Sequence, residues 1–181
     1  MFFLRKSNLE RLPVAMCGVR MGERTLQIGI DDSALAGAIA AKVGLSGHAA
    51  MALGDETSAA RARAAAAAAG ALVDVQITAL HSLPFEADAF DLVVVHAAGS
   101  LPRLEDDAAV AMLRDAHRVL RHGGRIIVIE GSGRRGLGRW FGAAAAMPAS
   151  PAIAALSAAG FRPARLLAER EGYRFTEGLK T

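Results

Sequence analysis

The chain has 181 residues, enough for one domain with a full core, and 52 % of them are apolar while only 5 % are aromatic. The single cysteine, Cys17, excludes an intrachain disulfide and fits a reducing compartment. The charged opening "MFFLRKSNLERL", with no apolar run behind it, does not read as a secretion signal. The net charge of +3 is lopsided: residues 1–113 carry nine basic and thirteen acidic side chains, residues 114–181 twelve and five.

Eighteen of the 21 basic residues are arginine. A nucleic-acid surface needs such side chains on one face, and nothing in their spacing gathers them there, so no nucleic-acid partner is expected. Residues 142–161 hold no charge but are Ala- and Ser-rich and broken by Pro148 and Pro151. That composition reads as a loop and a buried helix, with no membrane span, and the expected location is cytoplasmic.

In chain order, residues 1–23 form an N-terminal helical segment, and residues 24–181 read as one continuous core. Residues 25–30 are a short apolar strand. Ser33–Val43 follows as a helix, with Asp32 or Ser33 as N-cap and Gly44 as its stop. His48–Leu53 is a second strand, and "ETSAARARAAAAAAGA" a helix, because alanine is the best helix former. Residues 72–80 and Phe90–His96 are the third and fourth strands. Residues 105–120 form an amphipathic helix with Ala109, Met112, Leu113, His117 and Leu120 near one stripe. "HGG" ends it, and residues 125–130 are the fifth strand. A short helix runs from Pro151 to Gly160. Residues 162–169 and Tyr173–Leu179 are two strands joined by a turn at Glu171 and Gly172.

Continuous apolar strands separated by helices indicate a parallel sheet covered on both faces, an α/β doubly wound architecture. The last two strands lack a helix between them, so they form a hairpin and one of them runs antiparallel to the rest. Ligands in such sheets bind beyond the carboxyl ends of the strands. That gathers residues 29–33, Asp55, Glu56, residues 79–82 and residues 96–101 around one crevice. The segment "GSGRRGLGRW" would overhang it, with Arg134, Arg135 and Arg139 offering charge and Trp140 and Phe141 an apolar edge.

Five strings, "GERTLQIG", "AKVGLSGHAAMALGDE", "LPFEADAFDLVVV", "RVLRHGGRIIVIE" and "EREGYRFTEGLK", occur in order from about residue 22 to residue 180. They resemble successive motifs of the class I S-adenosyl-L-methionine-dependent methyltransferases, in the type 11, quinone-biosynthesis-like branch. The resemblance implies a Rossmann-like sheet of seven strands in the order 3-2-1-4-5-7-6. It also implies S-adenosylmethionine as cofactor and methyl transfer to an acceptor it does not identify, for which a small molecule is one expectation.

The family's first motif has an acid for the cofactor's ammonium group, then glycines at alternate positions that let the backbone approach its methionine part. Mapped here, the acid falls on Gln27, the first glycine on Gly29, the second on Asp31 and the third on Ser33. Gln27 accepts a hydrogen bond without the extra strength that charge gives. Asp31 either takes over the ammonium contact or repels the cofactor's carboxylate. Asp55, ending the second strand, matches the acid that receives the ribose hydroxyls; its other reading is a helix cap. Glu56 stands where many relatives place an apolar residue against adenine. The acid that meets the adenine amino group falls on Ala79, followed by Leu80. His96, at the end of the fourth strand, is the candidate general base, since its ordinary pKa suits proton transfer. No metal site is expected.

The altered anchors keep a second reading open, a catalytically inactive methyltransferase-like module with a regulatory or scaffolding role. With "FFL" near its start, the N-terminal segment packs on the core or pairs with a second subunit, and a homodimer is one expectation.

Overall fold

The structure, a computed structural model, describes residues 12–97, 101, 103–131, 150–170 and 172–181. A five-residue helix α1 (Leu12–Met16) precedes β1 (Arg24–Ile28), α2 (Ser33–Val43), β2 (His48–Leu53), α3 (Glu56–Ala68) and β3 (Asp74–Ile77). Then come β4 (Phe90–His96), α4 (Asp107–Val119), β5 (Leu120–Glu130), α5 (Pro151–Ala158), β6 (Ala164–Arg170) and β7 (Tyr173–Leu179). The seven strands form one sheet in the order 3-2-1-4-5-7-6. The pairs from β3 through β5 are parallel, whereas β7 runs antiparallel to both β5 and β6. This is the order and hairpin expected from the sequence.

Side chains alternate across the pleat, so β2, β4 and β5 feed two cores, one on each face. Leu26, Ile28, Val93, Val95, Ile126 and Val128 pack under α4 and α5 against Met112, Leu113, Ala116 and Leu156. Met51, Leu53, Leu92, Val94, Ile127 and Phe175 face α1 to α3 and meet Leu35, Ile39, Val43, Ala59 and Ala62. The alanine tract is an ordered helix. It lies close against α2 because Gly37 has no side chain there: a Cβ at Gly37 would sit 2.5 Å from the Ala65 carbonyl oxygen.

Helix α2 has the expected bounds. Asp32 caps it by accepting from the Leu35 amide at 3.0 Å, and Gly44, in the left-handed region at φ +70°, ends it. Several boundaries differ from expectation: β1 ends at Ile28 and not at residue 30, and of the N-terminal segment expected to be helical only Leu12–Met16 is helical, residues 1–11 lying outside the described residues. The third strand covers only Asp74–Ile77, and the sixth begins at Ala164. "HGG" does not separate α4 from a strand; it is a bulge inside β5, which starts at Leu120, directly after α4. The β4 pairing jumps from Phe90↔Leu120 to Leu92↔Arg125. The extra residues are held by Lys180, whose backbone bonds Gly123 and Gly124, and whose ammonium donates to the Leu120 carbonyl at 2.6 Å and to Asp88 at 2.8 Å. On α4 the buried stripe includes Ala116 and Val119 along with Ala109, Met112 and Leu113. His117 is half-buried, its ring edge-on to Phe161 at 4.9 Å.

Candidate active site

The carboxyl ends of β1, β2 and β4 come together as the topology requires. Gly29 follows β1 with φ +75°, a conformation that favours glycine, and its amide bonds the Ala52 carbonyl at 3.1 Å. A Cβ there would lie 3.2 Å from the Leu101 side chain and 3.3 Å from the His96 carbonyl oxygen, so glycine is demanded by space as well as by backbone angle. The chain then passes Asp31 and Asp32, both half-buried, and enters α2.

Gln27 and His96 are buried polar side chains on neighbouring strands. The β1–β4 register sets Gln27 opposite Val94, two residues before His96, so both point to the α2 face. The Gln27 amide nitrogen donates to the Ala36 carbonyl in α2 at 3.0 Å, and its oxygen lies 2.9 Å from His96 Nε2. Because the amide nitrogen is committed to a carbonyl, the oxygen is the acceptor, and His96 must carry its proton on Nε2. Burial pushes the His96 pKa down to about 4, against the pull of the Asp31 and Asp32 carboxylates. At neutral pH His96 is therefore an uncharged donor that braces β1 and α2. Both polar atoms of Gln27 are held inside the protein.

Asp55 is exposed and caps α3: one oxygen accepts from the Ser58 amide at 2.8 Å, the other from the Ser58 hydroxyl at 2.9 Å. The Ser58 amide, followed by that hydroxyl, holds its carboxyl below the usual range, so it is ionised at neutral pH. Glu56 extends outward into an exposed ion pair with Arg63 at 2.7 Å. Ala79 is exposed and Leu80 half-buried in the turn after β3. The "LPF" turn behind them is pinned from α4, where Arg118 donates to the Leu83 and Phe85 carbonyls and Asp115 accepts from the Leu83 amide.

Two site residues have no counterpart in the sequence reading. Arg61, on α3, donates to the Asp31 carbonyl at 3.2 Å and to Ser33 Oγ at 3.3 Å. Tyr173, at the start of β7, donates to Asp32 Oδ2 at 2.7 Å. The signal for Gln27 with His96 lay in the sequence as two polar residues of matching parity on strands destined to be neighbours. Tyr173 and Arg61 offered none. Arg134, Arg135, Arg139, Trp140 and Phe141, and residues 98–100, lie outside the described residues. Among the described residues no group of three or more His, Cys, Asp or Glu side chains could hold a metal ion. No described helix is long and apolar enough to cross a membrane. Cys17 is buried, which pushes its thiol up to about 12, so it is no nucleophile.

A doubly wound sheet with this strand order, a left-handed glycine after β1 and an acid after β2 define the class I methyltransferase architecture. A sequence model of the methyltransferase domain family matches residues 26–124, more than half of the chain, and the chain belongs to that family. The match carries no assignment to a branch within it. No curated protein matches the sequence.

Among solved structures, a SAM-dependent methyltransferase from Aquifex aeolicus superposes with a TM-score of 0.68 at 14 % identity, over 91 % of this chain and 86 % of that one. A putative S-adenosyl-L-methionine-dependent methyltransferase from Methanococcus maripaludis gives 0.65 at 17 %, over 93 % and 84 %. PigF, solved with SAH, gives 0.62 at 19 %, over 87 % and 50 %. At these identities the likeness is one of fold.

S-adenosylmethionine is the cofactor of this family. The loop suits such a group in backbone and in charge. Gly29 keeps the left-handed turn, and the carboxylates of Asp31 and Asp32, both acting on the His96 ring, make the loop acidic, the charge that suits a group carrying an ammonium and a sulfonium. The position on β1 that would normally supply the acid is closed, since the Gln27 amide is spent on Ala36 and His96.

Proposed function

We propose that this protein is an S-adenosylmethionine-dependent methyltransferase. The observation that carries the reading is the loop itself: a left-handed Gly29 leading into a capped α2, with Asp31 and Asp32 close enough to His96 to act on its proton. When bound, the cofactor supplies a methyl group already activated by its sulfonium. The protein's task is then to hold two reactants in line, which contributes much of the rate of such displacements.

In this reading Gly29 gives the backbone its close approach, and Asp31, in place of Gln27, faces the positive end of the cofactor. Asp55 offers its outer lone pairs to the ribose hydroxyls while still capping α3. Ala79 and Leu80 line the adenine edge through backbone and apolar contact, with Glu56 turned outward to Arg63. His96 keeps the floor rigid: its Nε2 proton goes to Gln27, and burial, which lowers its pKa to about 4, makes its other nitrogen a weak proton acceptor.

Calorimetric titration with S-adenosylmethionine and S-adenosylhomocysteine tests this. Micromolar dissociation constants are expected. No heat and no thermal shift up to millimolar ligand would refute the reading and leave an inactive methyltransferase-like module that acts through partners.

A further inference from the structure

Two segments 141 residues apart meet behind the loop. Tyr173 is buried, and its ring lies 5.9 Å from that of Phe175 in the core beneath α2, so the phenol is fixed in direction. Its hydroxyl donates to Asp32 Oδ2 at 2.7 Å, while Asp32 Oδ1 accepts from the Leu35 amide at 3.0 Å. One carboxylate therefore carries both the start of α2 and the start of β7. The β7 end of this link is itself tied down, since Arg174 is paired with Glu130 in the β5–β7 ladder. The loop at residues 29–33 is thus suspended between β1 on one side and the β5–β7 pair on the other, with Arg61 holding the Asp31 carbonyl from α3.

We propose that Tyr173 is a positioning residue for the cofactor loop: acting through Asp32, it keeps residues 31–35 in the conformation that receives the cofactor. The proposal rests on the reading that this loop binds S-adenosylmethionine. Its physical basis is that apparent affinity falls with the fraction of protein whose loop is already in the binding conformation. A tyrosine that only supported the fold would alter melting temperature and leave the affinity of the folded protein unchanged.

The test titrates S-adenosylhomocysteine into wild type, Tyr173→Phe, Asp32→Asn and the double variant. Asparagine caps a helix as well as aspartate does, so Asp32→Asn weakens the tyrosine link and spares α2. Tyr173→Phe is expected to raise the dissociation constant roughly tenfold, the factor carried by one hydrogen bond to a charged group. The double variant should bind no worse than the weaker single one, because both act on the same link. In ligand-free protein the amides of residues 31–35 should exchange faster in Tyr173→Phe, while those of β2 stay unchanged. Wild-type affinity in Tyr173→Phe, or two losses that simply multiply, would overturn the proposal. If wild type itself fails to bind, the functional reading falls. The exchange data then decide separately whether Tyr173 orders the loop, and unchanged exchange at residues 31–35 would overturn that too.

Discussion

His96 should give this protein a stability that fades in mild acid, and the size of the effect follows from the structure. In the folded chain burial holds its pKa near 4, against an ordinary value of 6.5. A depressed histidine is neutral when folded, yet takes up a proton in the unfolded chain as soon as the pH drops below 6.5. The unfolded state therefore binds more protons between pH 6.5 and 4, and stability falls as pH falls through that window. Each pKa unit is worth about 1.4 kcal/mol, so the full effect is about 3 kcal/mol, of which about 2 kcal/mol is already lost at pH 5. The carboxylates of Asp55, Asp88, Asp91 and Asp115, all held below their ordinary range, lose their contributions only at lower pH. Half-buried His117 is depressed in the same direction as His96 but is common to both proteins compared below.

The assay is urea unfolding at pH 7.5, 6 and 5 for wild type and His96→Gln, whose amide still donates to Gln27 but does not titrate. Wild type should lose about 2 kcal/mol more than the variant over this range. Parallel profiles would show that His96 is hydrated or already charged when folded, and the brace between β1 and α2 would not be as described.

Gln27→Glu should cost about 2–4 kcal/mol at neutral pH, because it strips the Ala36 carbonyl of its donor and buries a charge, and no ammonium site is created. Thermal unfolding checks this, and an unchanged melting temperature would mean that the amide is not locked. Asp55→Asn should keep the α3 cap and leave the melting temperature unchanged, whereas Asp55→Ala should lower it. Titration of the Asn variant with S-adenosylhomocysteine then separates the two roles of Asp55: weaker binding assigns it to the ribose, equal binding to the cap alone.

Features encoded by near neighbours were legible in the sequence. The bounds of α2 come from Asp32 and Gly44, each acting within a few residues, His48–Leu53 and Phe90–His96 are strands as their apolar runs suggest, and Tyr173–Leu179 is a strand with the expected bounds. The bulge in β5 was hidden because the glycines that look like a helix stop are held in the sheet by Lys180, far along the chain. The site was legible only as a set of positions. Whether Gln27 could face a ligand depended on His96, 69 residues away, and the support of the loop on Tyr173 depended on a contact spanning 141 residues. Hydrogen-bond partners chosen by tertiary structure leave no periodicity to read.

The place of β7, between β5 and β6, has a consequence for how the chain must be made. β5 is the longest strand, eleven residues, with the apolar run Ile126, Ile127, Val128 and Ile129 at its centre. Until residues 173–179 have left the ribosome, residues 125–130 of that strand offer unpaired amides and carbonyls on one side, and β6 cannot cover them because its own partner is the same missing strand. A nascent or prematurely terminated chain therefore carries an open apolar edge, the kind of template on which neighbouring chains pair. In this protein the arrival of β7 is what closes that edge.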